Sequence, residues 1–180
     1  MKNLNTKKLA YAALFLALCL VLPMLTGQIP QIGSMLLPMH IPVLLCGLVC
    51  GWQYGAAVGF VAPLLRSVLF GMPPMYPVAI AMAFELLTYG LVIGLVYRRM
   101  AQKGAAGVYA ALLTAMVAGR LVWGVAEVVL LGLGGKAFTA QTFLAGALLN
   151  AVPGIIVQLV LIPAVMAVLQ KARAVKEYAE

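Results

Sequence analysis

The sequence predicts an all-α, polytopic integral membrane protein with six transmembrane helices and both termini on the cytoplasmic side. Three observations carry that expectation. Hydrophobic residues make up 65% of the 180-residue chain and charged residues only 9%. Soluble domains carry roughly 25% charged residues, so this chain has too few to clothe a water-facing surface. Nine of its twelve Lys and Arg residues fall in three short clusters: Lys2/Lys7/Lys8, Arg98/Arg99/Lys103 and Lys171/Arg173/Lys176. Cytoplasmic loops collect basic residues, which places all three clusters inside and requires an even number of crossings between successive clusters. Finally, Gly- and Pro-rich breakers divide the intervening sequence into span-sized apolar runs.

Taken in order, the first span runs from about Leu9 to Thr26 and ends near Gly27-Gln28-Ile29-Pro30. Its basic start and apolar run resemble a signal peptide, but no A-x-A-like site follows, so it reads as a retained first span. A broken stretch continues through Pro38. The second span begins near Ile41-Pro42, with Pro at a helix start where its missing N–H costs nothing, and turns at Gly51–Gly55. The third continues to Phe70, where Gly71-Met72-Pro73-Pro74 forces an outer turn. A fourth runs from about Tyr76 to Tyr97. Four crossings fit between the first two clusters if one is short. A two-span alternative there founders on the Gly71–Pro77 breaker. Residues 106–170 hold two further spans, divided near Gly132–Lys136, with a kink expected at Pro153-Gly154. No repeat relates the two halves, and residues 1–180 read as a single six-helix domain. The Gly27–Met39 segment and Lys136 are expected outside.

The +8 charge and pI near 9.7 do not point to nucleic acid. The basic residues flank apolar runs and form no patch interleaved with aromatic residues, so the lipid bilayer is the partner they serve. Cys19, Cys46 and Cys50 contain no C-x-x-C pair and have no nearby His in sequence. No metal site and no cofactor is expected. Cys46 and Cys50 read as small packing residues on one helix face.

Charged residues within spans are expensive and are functional suspects by default. They are Arg66, Glu85, Arg120 and Glu127, joined by Asn150, Gln158 and by His40 at an outer helix start. At 1.5 Å per residue, Glu127 and Arg66 lie roughly 6–7 Å below the outer helix ends, Glu85 and Asn150 roughly 12 Å, and Arg120 roughly 16 Å. Only Gln158 falls in the inner half. Polar groups gathered in the outer half fit a solute pocket opening outward, whereas a conduction path would carry them from face to face. Mutual neutralisation is the competing reading. Arg120 and Glu127 stand two turns apart on one helix face and could share a network. A guanidinium also suits a carboxylate, which favours an anionic or zwitterionic ligand. Tyr76, Tyr97 and Trp52 fit interfacial anchoring, while Tyr89, one turn from Glu85, and Trp123 could stack on a ligand ring. Ala10, Ala13 and Ala17 form a small-residue stripe suited to close helix approach, either within the chain or against a partner.

The run Leu9-Ala10-Tyr11-Ala12-Ala13-Leu14-Phe15-Leu16-Ala17, the segment Leu37-Pro38-Met39-His40-Ile41-Pro42-Val43 and the stretch Pro63-Leu64-Leu65-Arg66-Ser67-Val68-Leu69-Phe70-Gly71-Met72-Pro73-Pro74 resemble the substrate-binding (S) component of an energy-coupling factor (ECF) vitamin transporter. The resemblance covers the whole chain in length, six-span plan and motif order. It implies a bacterial plasma-membrane subunit that captures a vitamin outside and topples to release it inside. Partners implied are a transmembrane coupling subunit, on which Ala10, Ala13 and Ala17 would dock, and two cytoplasmic ATPases. The chain itself has no G-x-x-x-x-G-K-[ST] motif. The pantothenate-type branch looks nearest, followed by the riboflavin type. Family binding groups match Glu85, Tyr89, Glu127 and Asn150; Arg66 and Arg120 are added for positive charge, although Arg66 departs from the family pattern.

An intramembrane enzyme is a poor alternative. One His and widely separated Glu residues cannot build a metalloprotease centre. Neither Ser34 nor Ser67 sits in a G-x-S-x-G setting. A stand-alone facilitator or channel is the stronger rival.

Overall fold

The computed structural model describes residues 6–25, 35–135, 139 and 151–171. These residues form six α-helices: α1 Thr6–Leu25, α2 His40–Cys50, α3 Trp52–Phe70, α4 Ile80–Met100, α5 Ala105–Leu133 and α6 Val152–Lys171. A wider π-type turn, Met75–Ala79, leads into α4, and a short 3₁₀ turn, Ala101–Lys103, joins α4 to α5. Five of the helical segments are long and apolar enough to cross a membrane. Only α2 is not; its eleven residues rise roughly 16 Å. It is apolar all round and nearly every side chain is buried, as a helix enclosed by others must be. Large apolar side chains such as Leu14, Val68, Leu121 and Val160 instead remain exposed on the bundle's outside. This is a polytopic, all-helical membrane protein.

The helices alternate in direction. Gly51, at φ 97°, turns α2 sharply into α3. Gly71 ends α3 in the left-handed conformation at φ 68°, and its N–H donates to the Ser67 carbonyl, a common glycine stop. Cys19 Sγ donates to the Met39 carbonyl at 3.6 Å, so the later half of α1 meets the start of α2. At the opposite end Gln170 Nε2 donates to Tyr97 Oη at 3.0 Å. That bond brings the end of α4, with Arg98 and Arg99, beside the end of α6, with Lys171. The described parts of the second and third basic clusters therefore share one end of the bundle. Lys2, Arg173, Lys176 and Lys136 lie outside the described residues.

Glycines set how closely α2, α3 and α4 approach. Gly55 and Gly59 on α3 and Gly90 and Gly94 on α4 each repeat at an interval of four. A Cβ on Gly90 would run into the Gly55 backbone, one on Gly59 into the Leu86 carbonyl, and one on Gly94 into Trp52. Gly47 of α2 closes the seam against Gly90 and Ile93. Backbone packing of this kind replaces the hydrophobic drive that lipid surroundings remove.

The expected kink at Pro153-Gly154 depends on residues 140–150, which lie outside the described residues. The last described helix begins at Val152, so Pro153 sits in its first turn, where it lacks no hydrogen bond. Gly154 lets that turn approach the Met35–Leu36 backbone. Tyr76 is also more than an interfacial anchor, because its hydroxyl donates to the Leu130 carbonyl of α5. This bond ties the approach to α4 to the last turns of α5.

Two outcomes follow. Gly90→Val should cost about 1–3 kcal/mol through overpacking, read as a lower unfolding temperature in detergent; an unchanged midpoint would show that the seam can open freely. A cysteine at position 103, in a chain lacking the three native cysteines, should resist a membrane-impermeant thiol reagent in intact cells. Strong labelling there would reject the inner placement of the α4–α5 turn.

Candidate functional site

A group of polar side chains meets around Glu85 of α4 and Arg120 of α5. Glu85, in the second turn of α4, is 1% exposed. Its Oε1 lies 2.9 Å from Arg120 Nη1 on α5 and 3.4 Å from His40 Nε2 at the start of α2. Three helices thus contribute one group each. Tyr89, one turn along α4, is buried and packs edge-on to the His40 ring, with centroids 5.2 Å apart and planes at 74°. The Arg120 guanidinium also lies over the Trp123 ring, 5.9 Å from its centroid. Gly119 makes room for this arrangement, since a Cβ there would stand 2.9 Å from the Tyr89 ring.

The cluster retains hydrogen-bonding capacity. Both ring nitrogens of His40, Arg120 Nε and Nη2, and Gln158 Nε2 are buried without a hydrogen-bond partner among the described residues, and Glu85 Oε1 has only its ion-pair contacts with Arg120 and His40. Buried polar groups are ordinarily satisfied, so several together call for a ligand or water. Gln158 is 1% exposed. With α6 beginning at Val152, it lies roughly 9 Å below the helix start. That places it in the same half of the bundle as the other polar groups, and the expected inner location is corrected by the later start of the helix.

The sequence candidates separate into groups. Glu85, Tyr89 and Arg120 come together. Glu127 is buried on α5 and lies within electrostatic reach of Glu85. Arg120 pairs with Glu85 instead of Glu127, because the neighbouring helix offers a closer carboxylate than two turns of its own. Arg66 is buried elsewhere: its Nη1 donates to the Leu20 carbonyl of α1, and its guanidinium lies over Phe70 at 5.3 Å. Asn150 lies outside the described residues. The sequence reading leaves His40 out of the pocket; its position at the outer start of an apolar helix was the available signal.

On α1, Ala12, Cys19 and Pro23 face the bundle, whereas Ala10, Ala13 and Ala17 are exposed. The small-residue stripe therefore lies on the outside. A separate shallow cleft of about 420 Å³ lies between α4 and α5. Its wall includes Phe84, Leu121, Val125 and Leu130, an apolar surface suited to lipid and not to a polar solute.

Residues 7–166 match the protein-family model described as ECF transporter, substrate-specific component. The chain belongs to that family, and is a transport subunit and not an enzyme. Its membership brings a small substrate and the partners of an ECF module. No curated protein and no solved structure matches the chain.

The buried pair supplies a stability test. Arg120→Ala would leave Glu85 without its cation, at a cost of about 3–5 kcal/mol. Replacing both partners with apolar residues, Glu85→Leu with Arg120→Met, should restore most of that stability. Thermal unfolding of the purified variants checks this; equal losses in the single and double variants would show that the pair does not stabilise the bundle.

Proposed function

We propose that this S component is the high-affinity subunit that captures a vitamin or related micronutrient at the outer side of a bacterial plasma membrane. The supporting observation is the His40–Glu85–Arg120 cluster, buried in the bundle yet rich in unsatisfied hydrogen-bonding atoms. Glu85, Tyr89, Arg120 and His40 form the solute site in this reading, with Glu127 toward its outer side; Asn150 remains a further ligand-binding candidate outside the described residues. Arg66 instead ties α3 to α1. The solute then passes inward with a transmembrane coupling subunit, which docks through Ala10, Ala13 and Ala17, and with two cytoplasmic ATPases. Exposure of that stripe supports its use by a partner helix.

Ordering pantothenate ahead of riboflavin depends on arginines free to hold a carboxylate. Arg120 is paired with Glu85 but keeps Nε and Nη2 free, and Arg66 is held by the Leu20 carbonyl, so the arginines alone do not decide between the two, and the identity of the vitamin falls to direct measurement. Mass spectrometry of the small molecule retained through mild-detergent purification would identify it. Recovery of no molecule, together with no binding of any vitamin, would reject solute capture.

Ala13→Trp should leave solute binding by the purified subunit within about twofold while abolishing uptake in cells, because an indole prevents close helix approach. Equilibrium binding and cellular uptake measured side by side check this. Loss of both together would make the stripe internal packing. Uptake that persists without the ATPase subunits would favour a stand-alone facilitator.

A further inference from the structure

Among the described residues, the charged side chains of Arg66, Glu85 and Glu127 lie buried between the helices, and Arg120 is mostly buried, with 13% of its side chain exposed. Glu85 and Arg120 neutralise one another at 2.9 Å. Arg66 is a cation resting on neutral groups, the Leu20 carbonyl and the Phe70 face, toward α1. Glu127 remains. It is 6% exposed and has neither an ion pair nor a hydrogen bond among the described residues. Seven residues from Arg120 in α5, it occupies the same face two turns further along, and it acts electrostatically on Glu85. The two carboxylates of the site are thus opposed by one local guanidinium.

We infer that the site takes a solute bearing a positively charged group, an ammonium or a heterocyclic cation, and that Glu127 is its counter-ion. The inference rests on the solute-capture reading above and adds the charge class of the substrate. A carboxylate held away from water is costly when unpaired and is retained in apolar spans where it serves a function. A ligand cation removes that penalty on arrival. An anion would meet two carboxylates across a low-dielectric gap, where repulsion is weakly screened. The surroundings suit a cation whose body also carries hydrogen-bond acceptors. Arg120 Nε and Nη2 and Gln158 Nε2 are free donors for those acceptors, and Tyr89 and Trp123 bring aromatic rings able to attract positive charge through their faces.

Glu127→Gln separates this role from structural pairing, because it removes charge and keeps shape. In the ligand-free, full-length protein the substitution should raise the unfolding temperature by about 2–4 °C, as an uncompensated buried charge disappears. A fall in that temperature, or failure to fold, would show that Glu127 is paired within the chain and would overturn the inference. Binding forms the second arm, using thiamine and pyridoxamine as cationic probes, pantothenate and nicotinate as anionic ones, and the molecule identified after purification. The wild type should hold a cation in preference to either anion, and Glu127→Gln should bind that cation at least tenfold more weakly. Preference for an anion, a neutral co-purified ligand or unchanged cation affinity in Glu127→Gln would overturn the inference while leaving solute capture intact. Absence of any bound probe or co-purified molecule would defeat the capture reading, and this inference with it.

Discussion

Removing a carboxylate and a guanidinium from water costs several kcal/mol per ion, a penalty recovered only when geometry is good and other hydrogen bonds complete the site. Glu85 and Arg120 meet the first condition at 2.9 Å. Their neighbours leave the second incomplete, with unsatisfied atoms on His40, Arg120 and Gln158. In the solute-capture reading proposed above, that partial satisfaction couples the bundle's architecture to its function. The pair fixes α4 against α5 and draws in the start of α2, while its remaining hydrogen-bonding capacity is available to a solute. A wholly apolar core could hold the helices together without offering such a place.

The pair depends in turn on how closely the helices approach. Glu85 lies in the second turn of α4, and the glycines at 90 and 94 bring the following turns of that helix against the α3 backbone. Leu86, directly after Glu85, gives its carbonyl side to Gly59. This contact fixes the rotation of α4 that sends Glu85 away from α3. Gly119 performs the matching task on α5 by receiving the Tyr89 ring next to Arg120. Small residues therefore do more than fill space. They set which faces of the helices carry the polar groups inward.

The outside of the bundle follows another logic. Exposed Leu and Val side chains cover the long helices, as a lipid-facing surface requires. On α1 that covering thins to alanine at 10, 13 and 17, opposite the face that packs on α2 and α3. For a subunit of an ECF transporter, a smooth helix face leaves a path for close contact without stripping charge or breaking a hydrogen bond. Arg66 links α3 to α1 through the Leu20 carbonyl, joining the element that carries the smooth face to the rest of the bundle.

The sequence alone determined the membrane setting, the number of helices and the short second element. These depend on composition, loop charge and Gly/Pro breakers, all of which act locally. It also identified Glu85, Tyr89 and Arg120 as candidates, because charge and aromatic groups inside apolar spans stand out without reference to neighbours. The partners could not be read in that way. Arg120 appeared equally able to meet Glu127 on its own helix, and Gln158 appeared too deep because its helix begins later than the apolar run implied. The physical reason is that every helix here is apolar on most sides, so amphipathic periodicity does not report its rotation. Rotation is set by backbone contacts at Gly55, Gly59, Gly90 and Gly119, which involve residues distant in sequence. Only the tertiary structure could place His40 beside Glu85 and direct Arg66 to α1.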